Sequence, residues 1–512
     1  MAEKKLIMNL NRRNFILKSA AGAAGAFIAK TGAAQNFYSK NEYGNLLFGS
    51  SNDSGVLEEA RKNIRKIRQR DARIQFLNKN GQPLKNKEIA VEQLNHQFLF
   101  GDNNWKMSAM VRNGMGDTDR LKYYRKRFAE ILNSLNTTVY WTERPRNDAA
   151  KTQDFQGEVQ WDDFEESVNW ANANGLTAKG HPMYWTVPKA IPEWLAKYPY
   201  ETHMKFVEVR IRNLAARFKN RVKIWDAVNE MLWEPHPKNL AKRQWPWWET
   251  TENMVDYIGK VFSWAREEDP NALYAINDYG LSSTKFGDKT AQNGKLVNAQ
   301  VQRKRYVELM KRLGEAGVSP NLMGIQCHTG WLTPSQQMAF YDEMSEAGIP
   351  LTVTEFWASI NELKDISQKA VEGEEWKSFA GNKKYENLSD EELEEIRDKY
   401  ILDYLTCAFG HPNIDSFYFW GFINMAVQFK NEYDSSHEIQ PIYQKVHDLI
   451  HKEWKTNLSL TTDENGMIEF RGFCGDFSAK INPENGRPAV GHTFNIDKKE
   501  ELNLAVIKTI LA

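Results

Sequence analysis

Between residues 96 and 454 short apolar runs recur, and amphipathic stretches fill the gaps between them. The runs are QFLFGD, TTVYW, TAKGHPMYW, VKIWDAVNE, LYAINDYG, LMGIQCHTGW, PLTVTEF and IDSFYFWG. They are too short for buried helices and rich in β-branched and aromatic residues, which reads as strand. Stretches such as DDFEESVNWANANG and RKRYVELMKRLGEAG have helical periodicity and end in glycine, as a helix C-cap does. A strand–helix unit repeated this often admits a (β/α)8 barrel or a doubly wound open sheet. No glycine-rich dinucleotide fingerprint or phosphate loop follows any of the runs, which disfavours the open nucleotide-binding sheet. The expected fold class is therefore α/β, with residues 96–454 forming a (β/α)8 TIM barrel.

The two ends read differently. Residues 35–55 are polar and rich in Gly, Ser and Asn, as a linker is. Within 56–95, a basic helical stretch precedes two alternating runs that flank Asn80-Gly81, a hairpin signal. Residues 455–512 repeat the style around Asn465-Gly466. Neither piece can bury a core alone. The expectation is one small accessory β-sandwich built from both ends; two separate hairpins on the barrel are the alternative.

Residues 1–34 place Arg12-Arg13 before an Ala/Gly-rich apolar run that ends in small residues. This reads as a twin-arginine signal peptide cleaved near Ala34, with export to the periplasm or beyond. That segment carries six of the 67 basic residues and one of the 67 acidic ones. The remainder is mildly acidic, which argues against a nucleic-acid or anionic-membrane partner. Cys327, Cys407 and Cys474 are too scattered for a disulfide framework or zinc ribbon. Seventeen tryptophans suit a cleft that binds the flat faces of sugars as well as they suit a core. The oligomeric state is left open.

In a parallel barrel, chemistry gathers at the C-terminal ends of the strands. Those ends carry His181 and Trp185, Asn229 and Glu230, Asn277 and Asp278, Gln326 and His328, Glu355, and Trp420. Glu230 closes the fourth run and Glu355 the seventh, on facing sides of the mouth. Two carboxylates across a cleft are what glycosidic cleavage requires: one protonates the leaving oxygen and the other attacks or supports the anomeric carbon. His96, His203 and His411 lack such a setting and read as structural.

Taken together, GHPMYW, WDAVNE, INDYG, GIQCH, VTEF and FWG resemble, in order and spacing, glycoside hydrolase family 10, the retaining endo-β-1,4-xylanases. The resemblance covers about 96–454. It implies Glu230 as acid/base, Glu355 as nucleophile, and Asn229 and His181 as contacts to the sugar at the cleavage point. It further implies Trp185 and Trp420 as aromatic walls, Gln326 and His328 as the groups orienting the two acids, and Asn277 as a support behind them. No cofactor or metal is implied, and the implied partner is a β-linked carbohydrate.

The segment YWTERPRND departs from the family's pattern, placing Thr142, Glu143 and Arg146 where a Glu-Asn pair and a Lys usually hold the next sugar. Arg146 is the substrate-binding candidate there, with a planar fork in place of an ammonium. Thr186 and Trp357 also replace the usual residues, and Trp245, Trp247 and Trp248 offer an aromatic rim. A different β-glycan is thus the alternative substrate. Two further classes are a metal-dependent hydrolase using His181, His328, Glu230 and Asp278, and a catalytically silent sugar-binding protein.

Overall fold

The computed structural model describes residues 53–509 except 113, 115–117, 142–151, 154–155, 187–189, 233–250, 283–288, 291–295, 329–330, 362, 364–387, 430–436 and 482–489. The segments expected as signal peptide (1–34) and, up to residue 52, as linker, together with Arg146 and Trp245, Trp247 and Trp248, lie outside the described residues.

Strands β1 (Gln69–Leu77) and β2 (Glu88–His96) precede the barrel. The barrel strands are β3 (Leu99–Asn103), β4 (Ser134–Thr138), β5 (Thr177–His181) with its continuation β6 (Tyr184–Trp185), and β7 (Ile224–Asn229). Two short strands, β9 (Lys289–Thr290) and β10 (Leu296–Val297), follow β8 (Leu273–Asp278), and β11 (Leu322–His328), β12 (Leu351–Trp357) and β13 (Ile414–Phe419) complete the ring. Every neighbouring pair in the ring is parallel, and β13 closes on β3 with Ser416 opposite Leu99. The helices between them, such as Asp162–Ala173 and Ala299–Glu315, bury one apolar stripe on the barrel and end in solvated polar faces. The fold is thus a (β/α)8 barrel. Among the described residues, no helix is long and apolar enough to cross a membrane.

Beyond the short pair β14 (Val427–Phe429) and β15 (His437–Ile439), the chain adds β16 (Asn457–Thr461), β17 (Met467–Phe473), β18 (Gly475–Ile481), β19 (Val490–Ile496) and β20 (Leu502–Lys508). Two sheets result, ordered β17-β1-β20 and β16-β2-β18-β19. They share one core in which Ile74 and Phe76 meet Ile89, Phe477, Ile481 and Ile496. This is a β-sandwich made from both ends of the chain.

The hairpin expectation fails at both Asn-Gly sites. The turns form: Asn78 Oδ1 accepts the backbone N–H groups of Asn80 and Gln82, and Asp463 Oδ1 those of Asn465 and Met467. Yet β1 and β2 lie in different sheets, as do β16 and β17. Each turn carries the chain across the sandwich, because the apolar sides of its two strands must face each other and cannot lie edge to edge.

Because β2 runs through Gln97 and Phe98 straight into β3, the sandwich sits at the N-terminal end of the barrel strands. Arg68, which ends the helix Asp53–Arg68, is buried there and donates to the carbonyls of Phe409, His411 and Ile414 at 2.7–2.8 Å. His96 lies in the same junction, edge-on to Phe100, Phe409 and Phe473, and burial pushes its pKa down to about 3. His203 bonds Tyr184 at 2.9 Å and His411 bonds Asp342 at 3.2 Å. Cys327, Cys407 and Cys474 are buried free thiols.

Candidate active site

The opposite mouth of the barrel gathers the polar strand ends. Three strands break register there: β7 between Asp226 and Val228, β11 between Gln326 and His328, and β12 between Val353 and Phe356. Such bulges re-aim side chains at barrel rims. Glu230 and Glu355 carry this furthest, with left-handed φ values of 55° and 54°. A non-glycine residue there costs roughly 1–3 kcal/mol and persists only where its surroundings hold it. Backbone bonding supplies part of that hold, since the Glu230 N–H donates to the Asn277 carbonyl at 2.8 Å.

A string of hydrogen bonds joins the two carboxylates. Gln326 Nε2 donates to Glu230 Oε1 at 3.2 Å and approaches Asn229 Oδ1 at 3.5 Å. Asn277 Nδ2 donates to Asn229 Oδ1 at 2.9 Å and to Glu355 Oε1 at 2.8 Å. Thr354 in turn donates to Asn277 Oδ1 at 2.5 Å, fixing which way that amide faces. Asn277 fits because residue 324 is glycine: a Cβ there would sit 2.6 Å from Asn277 Oδ1.

Glu355 is almost wholly buried, and His328 Nε2 lies 2.8 Å from its Oε2. Burial favours the protonated acid, but the His328 bond and the charges of His181 and His328 outweigh it, so its pKa falls below the ordinary carboxylate value. His181 Nε2 stands 3.8 Å from Glu355 Oε1. Its other nitrogen meets Asp226 Oδ2 at 2.7 Å, and Lys179 pairs with the same oxygen. Burial would raise the Asp226 pKa, yet Lys179 and His181 keep it below its usual value. An ionised Asp226 accepts Nδ1–H, leaving His181 Nε2 toward the cleft. Glu230 is half-buried, and Asn229 Nδ2 is buried without a hydrogen-bond partner among the described residues.

Trp420 lies edge-on to His181 at 5.4 Å and to His328 at 6.2 Å between ring centres. Trp185 is 6.4 Å from His181. The structure thus brings together Glu230, Glu355, His181, Trp185, Asn229, Trp420, Gln326, His328 and Asn277. Arg146 and its neighbours Thr142 and Glu143 lie outside the described residues. The Asp278 oxygens accept the backbone N–H groups of Leu232 and Tyr279 at 2.8 Å. Among the described residues, no three His, Cys, Asp or Glu side chains converge as a metal site.

Two aromatic residues were missed by sequence reading. Tyr140, two residues past β4, is buried against Trp185 at 5.4 Å and His181 at 6.2 Å. Burial and then the charges of Glu355 and Glu230 push its phenol well above the usual range, so it stays neutral. Trp105 packs edge-on to Trp420 at 4.8 Å and against the Tyr140–Trp185 cluster. Their place just beyond the first two strands was the available signal.

A parallel barrel with paired carboxylates and an aromatic wall at its C-terminal mouth has the architecture of a glycosidase. The family model described as Glycosyl hydrolase family 10 matches residues 145–449, and the chain belongs to that family. It is 23% identical over 447 residues to the Anti-sigma-I factor RsgI6 of Acetivibrio thermocellus, covering 86% of this chain and 48% of that protein. It is 20% identical over 454 residues to Endo-1,4-beta-xylanase 1 of Arabidopsis thaliana, covering 88% of this chain and 40% of that one. The chain therefore spans less than half the length of these two relatives. Among solved structures, xylanase 10B from Thermotoga petrophila in complex with xylobiose is 18% identical with a TM-score of 0.47, covering 70% of this chain and 95% of that one.

Proposed function

We propose that this chain is a retaining glycoside hydrolase that cleaves internal β-1,4-xylosidic linkages in xylan or decorated xylo-oligosaccharides. The observation that carries this reading is the single hydrogen-bonded string holding Glu230 and Glu355 at one mouth. Family membership and the xylanase names among the relatives point to the substrate.

In the first step a Glu355 oxygen bonds to the anomeric carbon while the bond to the leaving oxygen breaks, and Glu230 gives that oxygen its proton. In the second, Glu230 takes a proton from water, whose oxygen attacks the same carbon and releases Glu355. Low pKa and buried donors suit Glu355 to attack as an anion. Partial exposure suits Glu230 to exchange its proton with water. Asn229 Nδ2 offers a donor to the sugar 2-hydroxyl, a bond that can strengthen in the transition state. Arg146 is proposed as a contact to the next sugar. The N-terminal segment is proposed to export the enzyme.

A panel of defined xylo-oligosaccharides, with product anomers followed by NMR, tests the reading. Cleavage with retention is expected. Absence of cleavage of every xylo-oligosaccharide would overturn the substrate, and inversion would overturn the mechanism. The second reading, a different β-glycan at the same site, draws on Tyr140 beside His181 and Trp105 beside Trp420, which add aromatic surface to the mouth.

A further inference from the structure

Asp102 is the penultimate residue of the first barrel strand, Leu99–Asn103, and is fully buried. Its Oδ1 accepts the backbone N–H groups of Gly421 at 2.7 Å and Asn103 at 2.8 Å, and its Oδ2 accepts that of Ile423 at 2.9 Å. Gly421 and Ile423 belong to the turn that follows the eighth strand and opens the short helix Phe422–Ala426. These are donors that a helix start leaves without intrahelical partners. The turn directly follows Trp420.

The turn is held from its other sides as well. Gly421 has a φ of 103°, and a Cβ there would come 3.0 Å from the Trp357 ring. Tyr124 donates to Asn424 Oδ1 at 2.6 Å, and the Trp420 N–H donates to the Phe356 carbonyl at 2.9 Å. Trp420 then presents its indole to His181 and His328, the two imidazoles that reach Glu355.

A buried carboxylate is an expensive way to hold a turn. Burial pushes the Asp102 pKa up to about 6, against the pull of the backbone N–H groups. What the carboxylate offers is two acceptor oxygens and no donor, whereas an isosteric Asn offers one acceptor and sets an N–H against an N–H.

We propose that Asp102 is a positioning residue for the sugar site, a carboxylate clasp that ties the first strand to the turn after the eighth and thereby sets Trp420 against His181 and His328. The inference rests on the proposed reading only in taking Trp420 as a wall of the sugar site. The clasp itself stands on geometry.

Hydrogen exchange read by mass spectrometry tests the clasp without substrate. In the wild-type chain the peptide containing residues 420–424 exchanges slowly, and in Asp102→Asn it exchanges faster while the other barrel-strand peptides keep their protection. Rapid exchange of that peptide in the wild-type chain overturns the proposal even if Asp102→Asn fails to fold. The functional arm is a double-mutant cycle on a xylo-oligosaccharide. Asp102→Asn is expected to lower kcat/KM about tenfold, as loss of a charged acceptor would. In a Trp420→Ala background the same change is expected to alter kcat/KM by less than about twofold. Independent, multiplying losses would mean that Asp102 does not act through Trp420. A wild-type chain with no xylanase activity would sink the functional reading while leaving the exchange arm to decide the clasp.

Discussion

Asn277 Nδ2 lies 2.8 Å from Glu355 Oε1, and the same nitrogen reaches Asn229 Oδ1, the residue preceding Glu230, at 2.9 Å. One amide thus sets the distance between the two strand ends that carry the acids. Asn277→Ala removes both bonds while leaving both carboxylates in place. The expected result is a fall in kcat of about 100-fold with little change in KM, because misplacing the reacting groups by an ångström costs that much. Steady-state kinetics on a xylo-oligosaccharide checks it, and an unchanged kcat would contradict the role.

The pH dependence follows from Glu355. Its folded pKa lies below the ordinary value, so it stays ionised as pH falls below about 4.3. Its contribution to stability is present above the unfolded pKa and lost as pH falls through the lower folded one. His328→Ala removes the bond and the charge that oppose burial. The acid limb that Glu355 contributes to the kcat/KM profile should then move to higher pH. A limb that stays put would show that His328 does not set the ionisation of Glu355.

Tyr140 makes a separate prediction for binding. Its ring packs on Trp185 and faces His181, and an aromatic pair is worth about 0.5–1.5 kcal/mol beyond area. Tyr140→Phe keeps the ring and should leave Kd within about twofold. Tyr140→Ala should raise Kd by about two- to tenfold, read by isothermal titration with an oligosaccharide in a Glu355→Ala background. Equal effects of the two variants would place the contribution in the hydroxyl.

Arg68 carries a prediction for stability away from the site. Three backbone carbonyls depend on it in a fully buried junction. Arg68→Met preserves much of the volume and leaves those carbonyls without their donor. A loss of about 3–5 kcal/mol is expected, seen as a lower urea midpoint, with kcat/KM unchanged in the folded fraction.

The eight barrel strands were legible because apolar runs of strand length alternate with helical periodicity, and that period survives tertiary context. The two acids were legible as strand endings. The sandwich was legible as composition at both ends, but its connectivity was not. Asn80-Gly81 and Asn465-Gly466 give the local turn, whereas the choice between pairing within a sheet and crossing between sheets is made by Ile74, Phe76, Phe477 and Ile496 packing across the chain's two ends. Tyr140 was read as the tail of a strand, since alternation does not say where pairing stops. Asp102 was hidden in QFLFGD because its partners are backbone groups more than three hundred residues away. The left-handed backbone at Glu230 and Glu355 has no sequence signal, as neither is glycine or asparagine.

The most direct test of the account is to trap the covalent intermediate. A 2-fluoro-xylobioside with an activated leaving group forms the ester quickly and hydrolyses it slowly, and peptide mapping by mass spectrometry then locates the sugar. The account predicts one label per chain, on the peptide containing Glu355 and on that side chain. A label on any other residue, or continued turnover without a label, would contradict it.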